Sequence, residues 1–239
     1  MSGHSKWANI KHKKAREDAK KGKVFTRLIK EISMSAKEKG GDAGTNAKLR
    51  LLVEKARQAN MPQDNIIRAI KRGTGELEGV NYEEVTYEGY APSGIAVIVE
   101  TLTDNKKRTV ADVRHVFTKL GGNLGETGSV SWMFARKGVI NIISEGKTED
   151  DVLESLIDYD IEDVTKSGNM FSVICATIDI ESVKKGAQDT GFTVDSAESE
   201  MVPKDTITIE DEEKEAKLYK FLEALEDVDD VQNVYANIA

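Results

Sequence analysis

Residues 135 to 204 alternate between two hydrophobic periods in a fixed order, and that order limits the folds open to the chain. GVINII reads as a strand, TEDDVLESLIDY as a helix, IEDVTK and MFSVICATI as strands, ESVKKGAQDTG as a helix and FTVDSAESEMV as a strand. The order βαββαβ is that of a ferredoxin-like sandwich, in which helices cover one face of a four-stranded sheet. The flanking segments are each incomplete. Residues 80–134 supply YEEVTYEGYAPSG and IAVIVETLT as a hairpin split at Pro92 to Gly94. A helix follows, capped by Thr109, lined by Val110, Val113, Phe117 and Leu120 and ended by Gly121 and Gly122; the turn GGNLGETG then leads into SVSWMF as a strand. Residues 205–239 add one helix within ITIEDEEKEAKLYKFLEALEDV and one strand, DVQNVYANI. A lone helix and strand enclose no core, so the flanks are expected to join as one discontinuous α/β domain, with 135–204 inserted into it.

Residues 1–79 carry a helical period instead. Phe25, Leu28, Ile29, Ile32 and Ala36 form one stripe, stopped by Gly40 and Gly41. Thr45 and Asn46 offer a cap for a second helix with Leu49, Leu52, Val53 and Ala56 on one face. Pro62 opens a third, whose apolar side is Ile66, Ile67 and Ile70 and whose end is set at Gly73. The expected fold class is therefore α+β: an N-terminal three-helix domain followed by two ferredoxin-like α/β domains, one inserted into the other.

Charge is partitioned along this order. The chain's net charge is −8, yet residues 1–72 hold 19 Lys and Arg against 7 Asp and Glu, and the remainder holds 15 against 35. A basic third on an acidic two-thirds is a molecule that would meet a polyanion with one end. The extreme is the opening MSGHSKWANIKHKKAREDAKKGK, in which Lys6, Lys11, Lys13, Lys14, Arg16, Lys20, Lys21 and Lys23 face only Glu17 and Asp18. With no apolar period it cannot bury itself. Cations with an interleaved indole, Trp7, and His12 beside them are the footprint of a nucleic-acid contact: phosphates release counterions to the lysines while the ring stacks. The plainer reading is a solvated basic tail. A helix from Ile66 to Arg72, with Arg68, Lys71 and Arg72 off its apolar stripe, could approach a groove. In TDNKKRT, Lys106, Lys107 and Arg108 stand at a helix N-terminus, where amides and dipole favour phosphate, although an ordinary basic loop explains them as well.

Other chemistries find little support. The chain contains no P-loop, Gly73-x-Gly75 lacks the third glycine and the preceding strand of a dinucleotide site, and His4, His12 and His115 have no partners at metal-ligand spacing. Cys175 lies in an apolar run and reads as a buried inert thiol in a reducing compartment. No membrane-length apolar run or signal-peptide core is present. The expectation is a cytoplasmic non-enzyme without cofactor or metal.

GHSKWANIKHKKAREDAKKGK, MPQDNIIRAIKRGTGE, YEEVTYEGYAPSG and TDNKKRTVADVRHVFTKLGGNLGETGSVSWMF closely resemble the YebC/PmpR family, whose mitochondrial relatives are translational activators of cytochrome c oxidase. The resemblance runs in blocks from Gly3 to about Phe134 and more loosely beyond. It implies a three-domain α/β protein with no catalytic residues. Two departures are Ala91, where glycine is expected, and Lys106-Lys107 in place of an asparagine and arginine mixture, which argues against a bidentate phosphate contact there. The resemblance implies a DNA-binding transcriptional regulator, or, from the mitochondrial branch, a ribosome-associated translation factor. Nucleic acid, duplex DNA or ribosomal RNA, is the expected partner in both. No helix-turn-helix with a recognition face rich in Asn, Gln and Arg is identifiable, whereas cationic arms that fold on contact suit RNA. An enzyme or sensor built on the ferredoxin-like sandwich is the third reading, which fold alone does not decide.

Overall fold

The computed structural model describes residues 21–239. Among them are seven α-helices and two four-stranded antiparallel sheets, an α+β fold. Helices α1 (Lys21–Lys39), α2 (Ala47–Gln58) and α3 (Gln63–Thr74) share a core of Leu28, Ile32, Leu49, Val53, Ala56, Ile66 and Ala69. The side chain of Asn46 accepts from the Leu49 N–H at 3.0 Å, capping α2, and donates to the Ser35 and Gly40 carbonyls that α1 leaves open. The third helix runs past its expected end. Gly73 lies inside α3 at its crossing with α1, where a Cβ would collide with the Ser33 carbonyl and the Ala36 methyl. The terminating residue is Gly75, left-handed at φ 82°. Ile67, expected on the apolar side, is 41% exposed.

The second unit comprises β1 (Glu83–Tyr90), β2 (Ala96–Thr103), β3 (Asn123–Leu124) and β8 (Val231–Ala236), in the order β3-β1-β2-β8. Helices α4 (Lys106–Lys119) and α7 (Glu212–Glu226) cover one face, where Phe117 and Phe221 meet edge to face at 5.0 Å over Val97, Val99 and Val234. Asn105, not Thr109, caps α4; Thr109 is buried and turned inward. The layering is that of a ferredoxin-like sandwich, with a strand order of its own because two strands precede the first helix. The inserted unit, β4 (Phe134–Ile143), α5 (Glu149–Ser155), β5 (Ile161–Ser167), β6 (Met170–Cys175), α6 (Ile180–Asp189) and β7 (Thr193–Pro203), has the ferredoxin order β5-β6-β4-β7. Its core joins Ile140, Ile142, Phe171 and Val173 to Val152, Val183 and Ala187. Val130 and Phe134 pack with Ala96, Ile98 and Tyr235 on the uncovered face of the first sheet.

SVSWMF is not a strand up to Phe134, which opens β4. Ser131–Met133 form a 3-10 turn, and the expected strand is displaced to Asn123–Leu124. The cause is Glu88, a buried residue whose carboxylate accepts the N–H groups of Gly128, Val130 and Ser131 at 2.8–2.9 Å. Amides bound to a carboxylate do not extend a ladder.

Candidate nucleic-acid interface

Helix α3 turns its polar side outward because Ile66 and Ala69 are buried against α1 and α2. Arg68, Lys71 and Arg72, spaced i, i+3 and i+4, form an exposed cationic stripe beside Ile67. None of the three makes an ion pair with another described residue. Four residues, Ala59 to Pro62, join α2 to α3, with Asn60 left-handed at φ 59°. That is the connection length of a helix-turn-helix, a feature the sequence reading did not identify.

At the C-terminal end of α3, Lys37, Arg72, Met34 and Tyr82 border a cleft of about 240 Å³. The Lys30 ammonium lies 5.7 Å from the Tyr82 ring centroid. Burial raises the Tyr82 hydroxyl pKa, as does the Asp104 carboxylate, while Arg72 opposes them. Tyr82 thus marks where the α3 stripe approaches the start of α4. Sequence reasoning missed it, although an aromatic directly after the glutamate- and glycine-containing connection 75–81 is a usable signal.

The candidate cations on α4 are largely engaged within the protein. Lys106 binds Glu83 at 2.5 Å, and Arg108 binds Asp104 and Asp230, each at 2.7 Å; Lys107 is exposed and makes no ion pair with a described residue. Asp230 also accepts from Lys30 at 2.8 Å, Thr109 at 2.8 Å and Thr103 at 3.2 Å. Burial raises the Asp230 pKa, but the hydrogen bonds from Lys30, Arg108 and Thr109 overcome it and hold the carboxyl down at about 2. Lys23 pairs with Asp227 at 3.0 Å, and Arg27 donates to the Glu226 carbonyl. The basic side of α1 therefore docks on the acidic C-terminal segment.

Lys6, Trp7, Lys11, His12, Lys13, Lys14, Arg16 and Lys20 lie outside the described residues, and Lys21 is the first residue of α1. The structure adds an aromatic far along the chain. Trp132 is 65% exposed, and its main-chain oxygen receives the Lys204 ammonium at 2.8 Å.

Among the described residues no group of three or more His, Cys, Asp or Glu is arranged to hold a metal, and no helix is long and apolar enough to cross a membrane. Cys175 is fully buried, and burial pushes its thiol up to about 11, so little thiolate forms near neutrality.

Sequence comparison agrees with this architecture along the whole chain. Residues 5–76 match the TACO1/YebC protein N-terminal domain, and residues 82–238 match the TACO1/YebC second and third domain. A probable transcriptional regulatory protein of Chlorobium phaeobacteroides is 52% identical over 239 residues, 100% of this chain and 95% of the relative. One from Syntrophotalea carbinolica is 54% identical over 237 residues, 99% of this chain and 95% of the relative. The crystal structure of a conserved hypothetical protein from Aquifex aeolicus superposes with a TM-score of 0.85 at 44% identity, covering 93% of this chain and 91% of that one. On sequence, the chain belongs to the TACO1/YebC family.

Proposed function

We propose that this protein is a non-catalytic, nucleic-acid-binding regulator of gene expression acting in the cytoplasm, with the α3 stripe and the N-terminal arm neutralising phosphates. The observation that carries the reading is the difference between two sets of cations. Lys23, Lys30, Lys106 and Arg108 are held by carboxylates of the same chain, whereas Arg68, Lys71 and Arg72 are exposed and hold none. Cations without internal partners are those that can release counterions from a phosphate backbone. The names of the Chlorobium and Syntrophotalea relatives favour transcription and so duplex DNA. The four-residue turn before α3 supports the same reading, with exposed Gln63 and Arg68 available to base edges.

A second reading, a ribosome-associated RNA-binding translation factor, is favoured by Asp64. This exposed carboxylate stands in the first turn of α3, where a groove-reading helix meets bases and phosphates. Binding of the full chain to a DNA duplex and to a folded RNA, each across a salt series, tests both readings. Replacing Arg68, Lys71 and Arg72 together by Gln should flatten the log K against log salt slope by about 0.9 per lost contact on duplex DNA, or about 0.7 on single strands. An unchanged slope on both ligands would sink the interface. The ligand bound more tightly at equal salt separates the two readings.

A further inference from the structure

Trp132 is the one exposed side chain among the described Phe, Tyr and Trp residues, and the surrounding loop is built to fix it. Its indole N–H donates to the Ser129 carbonyl at 3.1 Å. The Met133 N–H closes the turn on the Val130 carbonyl, and the Lys204 N–H binds the Met133 carbonyl, both at 2.9 Å. Beneath them the buried Glu88 carboxylate holds three amides of the same loop, a set of charge-assisted bonds whose strength offsets the burial of the charge. A large apolar ring is therefore held in water by a rigid frame. Free energy would favour turning it inward if presentation served nothing.

The chemistry of the site selects the occupant. With its N–H already bonded, the indole offers ring faces and carbon edges, which suit stacking and not edge recognition. Exposed Lys204 places an ammonium 2.8 Å from the Trp132 carbonyl and makes no ion pair with a described residue, so a cation stands at the main chain of the residue that carries the ring. Ring and cation together match a base and its phosphate. A duplex keeps its base faces stacked internally, so the base must be unpaired.

We propose that Trp132 is a stacking platform for an unpaired nucleobase of a looped or single-stranded nucleic acid, with Lys204 contacting the adjoining phosphate and Glu88 acting as a positioning residue. The inference rests on the nucleic-acid reading above and narrows its ligand class.

The chain has two tryptophans, so Trp7→Phe, which keeps an aromatic ring in the arm, leaves Trp132 as the sole indole reporter. An RNA hairpin with a loop of unpaired purines should quench that emission on binding, while a blunt DNA duplex of the stem sequence should leave it unchanged. Trp132→Ala should weaken hairpin binding by about 5- to 150-fold, the equivalent of about 1 to 3 kcal/mol for one stacked base, and Trp132→Phe should retain most of the affinity. Hairpin binding with unmoved emission and undiminished affinity in Trp132→Ala would overturn the platform and leave the nucleic-acid reading standing. Equal quenching by the blunt duplex would overturn the requirement for an unpaired base. If neither ligand binds the wild-type chain at low salt, the platform and the broader reading fall together.

Discussion

Lys30 and Asp230 stand 200 positions apart in the chain and 2.8 Å apart in the fold, both buried. The pair ties the first described helix to the last connection of the chain. The Lys30 ammonium also donates to the main-chain oxygens of Leu102 and Asp229, and Asp230 completes its set with Arg108, Thr109 and Thr103. A buried charge pair is stabilising only when its remaining hydrogen-bonding capacity is met, as it is here. The helical unit that carries the α3 stripe is consequently oriented by the acidic unit.

The linkage is expected to show in the acid limb of stability. The Asp230 pKa is lowered in the folded protein to about 2, below the usual carboxylate value of about 3.9. Its contribution, about 2 kcal/mol, is therefore present above pH of about 4 and lost as pH falls toward 2. Urea titrations of wild type and Asp230→Asn should differ most near neutrality and converge through that acid window. A constant gap would refute the assignment. Lys30→Met should also destabilise the protein, and a double-mutant cycle with Asp230→Asn should return a coupling of about 1 to 3 kcal/mol.

Gly73 and Gly75 are two positions apart and should respond differently. At Gly73 a methyl group meets the Ser33 carbonyl and the Ala36 methyl, so Gly73→Ala must separate α1 from α3. At Gly75 a Cβ meets nothing within 4 Å, and the penalty comes from φ 82° alone. Thermal melts should show Gly73→Ala losing about 1 to 3 kcal/mol, as overpacked cores do, and Gly75→Ala about 1. Equal losses would mean that the helix crossing is not close-packed at that point.

Much of the fold was legible in the sequence because it rests on local periods. The βαββαβ order of 135–204 followed from strand and helix patterns that tertiary structure did not override. The failures have a common cause. A glycine near a helix end commonly caps it, yet Gly73 serves a neighbouring helix 40 residues earlier, at Ser33. Thr109 has the side chain of a cap, but its hydroxyl binds Asp230, 121 positions away. SVSWMF alternates like a strand until Glu88, 42 positions upstream of Val130, takes its amides. Nor could charge counting separate Arg68 and Lys71 from Lys30, since only the fold brings Asp230 to one of them.

The cations at the start of α4 allow a contrast between neighbours. Lys106 is paired with Glu83, whereas Lys107 has no charged partner among the described residues. Lys107→Gln should reduce the salt slope of nucleic-acid binding by about 0.9 if it reaches a duplex phosphate, while Lys106→Gln should leave the slope nearly unchanged and alter stability by about 1 kcal/mol or less. A larger slope change from Lys106 would mean that Glu83 yields it to phosphate on binding.

Glu88 provides the last contrast. Burial raises its carboxyl pKa, but the N–H groups of Gly128, Val130 and Ser131 outweigh that effect and leave the pKa lowered. Oε1 accepts from Gly128 and Oε2 from Val130 and Ser131, so the Glu88→Gln amide places an N–H₂ group against at least one of these donors. Loss of charge-assisted bonds should destabilise the protein by about 2 kcal/mol. Because the folded pKa is depressed, the Glu88 contribution is present above the unfolded carboxyl pKa of about 4.3 and disappears as pH falls through the folded value. Hydrogen exchange separates this local clamp from a general loss of stability: in Glu88→Gln the amides of Gly128, Val130 and Ser131 should lose protection well before those of β2. If the three amides remain as protected as in wild type, the loop is held by packing of Val130 against Ile98, and Glu88 contributes charge burial without order.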